Sequence, residues 1–289
     1  MSQPRLHHVS CLDGRGLHRM AHWEWGDAAN PNVLVCLHGL TRQGRDFDAL
    51  ARTMVDRYRV VCPDVVGRGR SDWLKDPMGY VLPQYVGDIV TLLARLNAQA
   101  VHMVGTSMGG LIALGVAALD GSPVGKLALN DIGPRLDPMG LARIGGYVGQ
   151  LRRWKTLDEA ADALWSISTG FGPHTREQWL TLTEPQLKSD GSDLVPRSDP
   201  DIAVPFKTVT PELAAAGEAA LWQAYDRIRC PALLTRGAQS DLLARATAQE
   251  MGTRGPHARL VEFAGVGHAP TLVQPEQVQA VREFLLSSP

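Results

Sequence analysis

Val101-His102-Met103-Val104-Gly105-Thr106-Ser107-Met108-Gly109-Gly110 is the stretch whose reading decides the fold. Val101 to Val104 reads as a short apolar strand and Leu111 to Leu119 as an apolar helix. The G-x-S-x-G between them must turn the backbone from strand to helix around one residue held in a strained conformation. Larger side chains two positions to either side would collide in such a turn, which accounts for glycine at 105 and 109. The turn lifts the Ser107 hydroxyl clear of the sheet, over the unpaired N–H groups of a helix start. The stretch has the form of a nucleophile elbow.

Outward from the elbow the pattern is one of alternation. Leu6 to Leu12 and Leu17 to Trp25 flank Asp13-Gly14 and read as a β-hairpin. Val33 to Leu37 is continuously apolar, as expected of a parallel strand covered on both faces. A helical segment from Phe47 to Asp56 precedes a strand around Arg59-Val60-Val61-Cys62. A helix from Gln84 to Leu96, the elbow, a helix from Gly109 to Leu119 and a strand from Lys126 to Asn130 follow. Strands and helices in this order predict right-handed crossovers and an α/β fold with a doubly wound, mostly parallel sheet.

Alternation stops after residue 133. Residues 134–225 carry Trp154, Trp165, Trp179 and Trp222 on segments with helical spacing, interrupted at Gly170, Gly172-Pro173, Pro185 and Pro196. This region is expected to be a mainly helical insertion, leaving residues 1–133 and 226–289 as the sheet domain. Strand character returns at Ala232 to Thr235 and Arg259 to Phe263, and Glu276 to Leu286 closes as a helix.

Composition narrows the partners. The 289 residues carry a formal net charge of -1 and a 44% hydrophobic content, ordinary for a chain with a sizeable core. Charges of both signs are scattered, so nucleic acid is not expected as a partner. The densest basic cluster, Arg152-Arg153 with Lys155, reads as a solvated face. Cys11, Cys36, Cys62 and Cys230 form no C-x-x-C pair and suit reduced thiols in a cytoplasmic protein. Met1-Ser2-Gln3-Pro4-Arg5 lacks the apolar core of a signal peptide, and no run approaches the roughly 20 apolar residues of a membrane helix. No membrane partner is expected, and the chain is expected to act as a monomer or homodimer.

A serine hydroxyl needs a base, and the base an orienting acid. His268 in Gly265-Val266-Gly267-His268-Ala269-Pro270 follows the last strand, where open α/β sheets place their chemistry. Two aspartates compete to orient it. Asp241, one strand before the histidine loop, is preferred, and Asp131, at the end of the strand Lys126 to Asn130, is the alternative. The backbone N–H groups of Met108 and of Leu40, in His38-Gly39-Leu40, are expected to hold an oxyanion. No H-E-x-x-H pattern or Cys/His cluster suggests a metal, and no cofactor is expected.

Together these parts resemble the α/β-hydrolase superfamily. The resemblance rests on His38-Gly39, Gly67-Arg68-Gly69-Arg70-Ser71-Asp72, the Gly105–Gly109 elbow, Asp241 and Gly267-His268, and places residues 134–225 in the family's usual cap position. Serine at the elbow speaks against the dehalogenase and epoxide-hydrolase members, which use aspartate there. The oxyanion loop departs from the glycine-rich esterase version by carrying Arg42. The resemblance implies a cofactor-independent serine hydrolase of small or medium carboxylic esters, with His38, Gly39, Arg42, Trp154 and Trp165 as candidate substrate contacts. A carbon–carbon hydrolase or enol-lactonase, reading a substrate carboxylate through Arg42, Arg45, Arg143 or Arg153, is the first alternative. A non-catalytic ligand-binding protein is the second.

Overall fold

A computed structural model describes residues 3–288. Met1 and Ser2, the start of the stretch read as lacking an apolar leader, lie outside the described residues, as does Pro289. Strand β1 (Arg5–Asp13) and strand β2 (Gly16–Trp25) form the expected antiparallel hairpin, closed by the pair Asp13 and Gly16. Gly16 takes a φ of 127°, open to glycine and strained for other residues.

Then come β3 (Asn32–Leu37), α1 (Asp48–Met54), β4 (Arg59–Pro63), α2 (Leu82–Leu96), β5 (Ala100–Thr106), α3 (Met108–Ala117) and β6 (Val124–Asn130). After a long excursion the sheet resumes with β9 (Ala232–Gly237), α8 (Arg245–Met251), β10 (Arg259–Phe263) and α9 (Pro275–Leu286). The excursion holds α4 (Pro138–Gly145), α5 (Leu157–Ser166), α6 (Arg176–Thr183), β7 (Leu187–Asp190), β8 (Asp193–Pro196) and α7 (Pro211–Arg227).

The main sheet runs β1-β2-β4-β3-β5-β6-β9-β10, antiparallel through β2 and parallel from β4 onward. The α/β, doubly wound architecture is the one the alternation predicts. Period-two alternation splits β3 between two cores. Val33, Val35 and Leu37 join Met103, Ile89 and Ile112 on the face covered by α2 and α3. Leu34 and Cys36 join Met54, Val281 and Phe284 on the face covered by α1 and α9. Coverage of both faces explains why β3 is apolar at successive positions rather than at alternate ones.

Strand order decides where the site is. The chain leaves β3 toward β4 on one side, and β5 pairs with β3 on the other. The carboxyl ends of β3 and β5 therefore flank a topological switch point, the crevice in which open α/β sheets bind ligands.

The excursion is mainly helical, as read, and has a small core of its own around Ala161, Trp179 and Leu182, with Trp165 and Phe171 against it. It also contains the antiparallel hairpin of β7 and β8, which the helical reading missed. Its local signal was Asp190-Gly191, where Gly191 takes a φ of 64° suited to a tight turn. Trp222 and Tyr225 of α7 pack into the main core rather than with the other tryptophans. Among the described residues no helix is long and apolar enough to cross a membrane. All four cysteines are free thiols, with Cys11, Cys36 and Cys62 buried.

Candidate active site

Ser107 sits between β5 and α3 with φ 53° and ψ -123°, the strained turn expected of an elbow. A Cβ on Gly105 would be driven into the Gly109 carbonyl, and one on Gly109 into the Leu37 carbonyl of β3. Both glycines are thus required by backbone, which cannot give way as a flexible side chain can. The serine lines a cavity of about 90 Å³ between the sheet and the excursion.

The Ser107 Oγ lies 2.9 Å from His268 Nε2. His268 Nδ1 lies 2.8 Å from Asp131 Oδ2. Because β6 pairs directly with β5, with Thr106 opposite Asn130, the residue after β6 stands beside the elbow. Asp131 is fully buried, at a φ of 55°. Its Oδ1 accepts from Gly237 N–H at 2.9 Å and its Oδ2 from the Ser240 hydroxyl at 2.6 Å. Three donors, including His268, therefore satisfy the buried carboxylate, which would otherwise be costly to desolvate.

Asp241, the acid preferred from sequence, lines a cavity with His268 but makes no hydrogen bond to it. Its carboxylate is paired with Arg143, with contacts of 2.5 and 2.9 Å, and that hydrogen-bonded pairing holds its pKa below the ordinary carboxylate value. The loop after β9 does reach the histidine region, but through Gly237 and Ser240, which donate to Asp131. The Asp241 side chain is two-fifths exposed.

Leu40 and Met108 both border the site. Met108 opens α3, so its amide is one of the helix-start donors without an intrahelical acceptor. The loop carrying Leu40 abuts the serine, since a Cβ on Gly39 would lie 3.7 Å from Ser107 Cβ. His38 is fully buried and burial pushes its pKa down to about 3, so the ring is neutral. Val65 N–H donates to its Nε2 at 2.9 Å, and its Nδ1–H donates to the Gly39 carbonyl at 2.7 Å. His38 therefore braces the loop, with both ring nitrogens committed.

Two positioning residues were not read from sequence. Arg68 is fully buried, and among the described residues its guanidinium meets no carboxylate. It donates to the Leu40 carbonyl at 2.8 Å, to Val66 O at 2.7 Å and to the Tyr85 hydroxyl at 3.0 Å, and reaches Met108 Sδ at 3.6 Å. One side chain thus touches both residues expected to hold an oxyanion. The signal available was Arg68 between two glycines after β4, at the carboxyl edge next to β3. Asn130 is the second. Its amide donates to Thr106 Oγ1 at 2.9 Å and to Pro270 O at 2.7 Å, tying the strand before Ser107 to the loop carrying His268.

The candidate substrate contacts divide. Gly39 and Arg42 line the Ser107 cavity, but Arg42 is bound to Asp46 at 2.5 and 2.8 Å and to Leu182 O at 3.3 Å. It also lies over Phe171, 5.6 Å from the ring centroid, and so fastens the excursion to the sheet. Trp165 packs edge-on against Trp179 within the excursion's core. Trp154 exchanges backbone hydrogen bonds with Leu194 and lines a neighbouring cavity. The apolar wall over Ser107 comes instead from residues such as Ile144, Leu164, Ile167 and Phe171.

Of the four arginines that could read a carboxylate in a carbon–carbon hydrolase, each is already paired. Arg42 holds Asp46, Arg45 holds Asp48, Arg143 holds Asp241, and Arg153 holds Asp190 and Asp193.

Comparison with known proteins gives consistent matches. Residues 34–281 match the model of a family described as the alpha/beta hydrolase family. A 3-hydroxybutyrate-oligomer hydrolase of Cupriavidus necator is 55% identical over 287 residues, covering 98% of each chain. A pimeloyl-[acyl-carrier protein] methyl ester esterase of Xanthomonas axonopodis is 27% identical, over 89% of this chain and 96% of its own. Among solved structures, an alpha/beta hydrolase from Novosphingobium aromaticivorans superposes with a TM-score of 0.86 at 36% identity, over 99% of both chains.

Proposed function

The chain belongs to the alpha/beta hydrolase family and is a hydrolase, and from that premise we propose that it cleaves short hydroxyalkanoate oligoesters through a Ser107–His268–Asp131 triad. The observation that carries the triad is the unbroken line of contacts from Ser107 Oγ to His268 Nε2 at 2.9 Å and from His268 Nδ1 to Asp131 at 2.8 Å. The substrate class is drawn from the relative at 55% identity, named for 3-hydroxybutyrate oligomers.

In this reading His268 Nε2 takes the hydroxyl proton as Ser107 Oγ bonds to the ester carbonyl carbon. Asp131 fixes the tautomer that leaves Nε2 free to accept, and stabilises the imidazolium that forms. The carbonyl oxygen becomes an oxyanion held by the Leu40 and Met108 amides, and Arg68 keeps those two residues in register. Collapse breaks the bond to the alcohol oxygen, which leaves with the proton from His268. Water, deprotonated by the same imidazole, then releases the acyl group and restores the serine.

Residues 134–225 act as a cap in this account, placing Ile167 and Phe171 over the serine so that the acyl group is read in a dry, apolar pocket. The pairing of Arg42, Arg45, Arg143 and Arg153 with carboxylates weighs against a carbon–carbon hydrolase that reads its substrate through those four residues. The test is direct. Linear 3-hydroxybutyrate dimer and trimer should be hydrolysed to monomer by the purified protein and left intact by Ser107→Ala. Hydrolysis of activated phenyl esters with no turnover of either oligomer would retain the triad and reject the substrate class.

A further inference from the structure

The cavity over Ser107 does not stand alone. Tyr147 and Ile167 line it and also line two neighbouring cavities of about 550 Å³ each. A chain longer than the short acyl unit that fits in about 90 Å³ must extend past these two residues. One neighbour, bounded by Trp154 and Trp73, presents three cations, Arg152, Arg153 and Lys188, against one carboxylate, Asp190.

These cations are not equivalent. Arg153 is neutralised by Asp190 at 2.8 Å and Asp193 at 2.9 Å. Arg152 is half-buried, and its guanidinium is held by the neutral Gln150 Oε1 at 2.7 and 3.2 Å. Gln150 is itself anchored, donating to Gly146 O at 2.6 Å. Lys188, also half-buried, sits over the Trp73 ring, 4.5 Å from its centroid. Among the described residues neither cation has a carboxylate within ion-pairing distance. Two positioned charges therefore face a cavity that adjoins the one over the reacting serine, with their strongest natural partner missing.

We propose that this cavity is an anion-reading subsite that binds the free carboxylate end of the oligoester, a proposal that rests on the ester-hydrolase reading above. Arg152 offers the planar fork that matches a carboxylate, and Lys188 adds a point charge. The direction of the chain follows. A linear hydroxyalkanoate oligomer has a hydroxyl at one end and a carboxylate at the other. With the carboxylate beside Arg152, the hydroxyl-terminal unit is the acyl group at Ser107 and the carboxylate-bearing remainder is the leaving alcohol. The ester C–O bond breaks, the serine keeps the acyl unit, and the shortened chain departs with the His268 proton on its new hydroxyl. Monomers are thus removed one at a time from the hydroxyl end.

The experiment compares kcat/KM for release of the hydroxyl-terminal monomer from linear 3-hydroxybutyrate trimer as the free acid and as its methyl ester, in which that terminal charge is removed. Methanol release is followed separately so that cleavage of the added ester is not counted. The wild-type protein should favour the acid about tenfold at low ionic strength, with the preference shrinking as salt screens it. In a protein carrying Arg152→Met and Lys188→Met the ratio should collapse to about one through a higher KM for the acid. Arg152→Lys should retain part of the preference, and methyl ester turnover by each variant reports that it is folded. A wild-type ratio near one, or a tenfold ratio persisting in the double variant, would overturn the subsite while leaving the oligoester reading in place. Absence of turnover of both trimers by the wild type would instead remove that reading and the subsite with it.

Discussion

Asp131 and His268 meet at 2.8 Å, although 137 positions separate them in the chain. The contact exists because β6 lies against β5, so that the residue following β6 and the serine following β5 are neighbours at the carboxyl ends of the two strands. Replacing Asp131 by Asn should lower kcat by about 10⁴, the loss expected when an imidazole is held in the wrong tautomer. Asp241→Asn, which breaks a partly exposed pair with Arg143, should cost less than about tenfold. Steady-state kinetics on one activated ester settles the ranking, and the reverse order would return the acid role to Asp241.

Why sequence favoured Asp241, which pairs with Arg143, over Asp131, which contacts His268, is instructive. Position along the chain is a good guide to which strand end a residue occupies, and both candidates were placed at carboxyl ends. It carries no information on which way a side chain turns within a loop. Asp241 finds Arg143 from α4, an element in the excursion whose docking could not be foreseen from local pattern. The elbow, by contrast, was legible because its requirement is local and absolute: two glycines whose missing Cβ atoms would enter backbone. His268 was legible for a related reason, standing in a glycine-rich loop just past a strand. Arg68 was not, since a buried arginine reads as a surface residue until the strand order brings Leu40 and Met108 to it. The β7–β8 hairpin was lost beneath the helical spacing around it.

Arg68 gives the second prediction. It touches Leu40 and Met108, the two residues proposed to hold the oxyanion, so in this account its loss should act on the transition state. Arg68→Met should lower kcat by about 10², the lower end of what losing an oxyanion donor costs, with KM changed far less. Affinity for a boronate or trifluoromethyl ketone inhibitor should fall in parallel with kcat/KM. A merely structural role would instead lower the melting temperature and leave the kcat of the folded fraction unchanged.

The elbow should tolerate no added methyl group. Gly109→Ala would push a Cβ into the Leu37 carbonyl in the middle of the sheet, where neither backbone can withdraw. Overpacking typically costs about 1–3 kcal/mol, and a clash with backbone that cannot withdraw puts this variant at about 3 or more. Chemical denaturation of the variant should show that loss or yield no folded protein. A stability within about 1 kcal/mol of wild type would mean that the turn is more pliable than its geometry suggests.

Stability should fall on mild acidification. Burial holds His38 at about 3, and His22 and His102 at about 4, below the ordinary value of 6.5. The unfolded chain therefore binds protons at these sites first, and folding stability is present above about 6.5 and is lost as pH falls toward 4. Asp64, pushed up by burial to about 6, acts in the opposite sense, gaining its proton first in the folded state. His18 also opposes the trend, because Asp88 and Asp13 outweigh its burial and raise its pKa. The three lowered histidines and His174, which burial also lowers, should dominate, giving a decline of at most ~1.4 kcal/mol per pH unit for each net proton taken up. Urea denaturation at intervals between pH 7 and 4.5 measures the slope, and a flat profile would contradict it.

The central claim is that Ser107 is an activated nucleophile, driven by His268 and oriented by Asp131. Brief exposure to a fluorophosphonate, followed by intact-protein and peptide mass spectrometry, reads this without any choice of natural substrate. The account predicts a single adduct on Ser107, labelling slowed by about 10³ or more in Asp131→Asn, and labelling near the wild-type rate in Asp241→Asn. An adduct on another residue, or undiminished labelling of Ser107 in the Asp131→Asn protein, would contradict it.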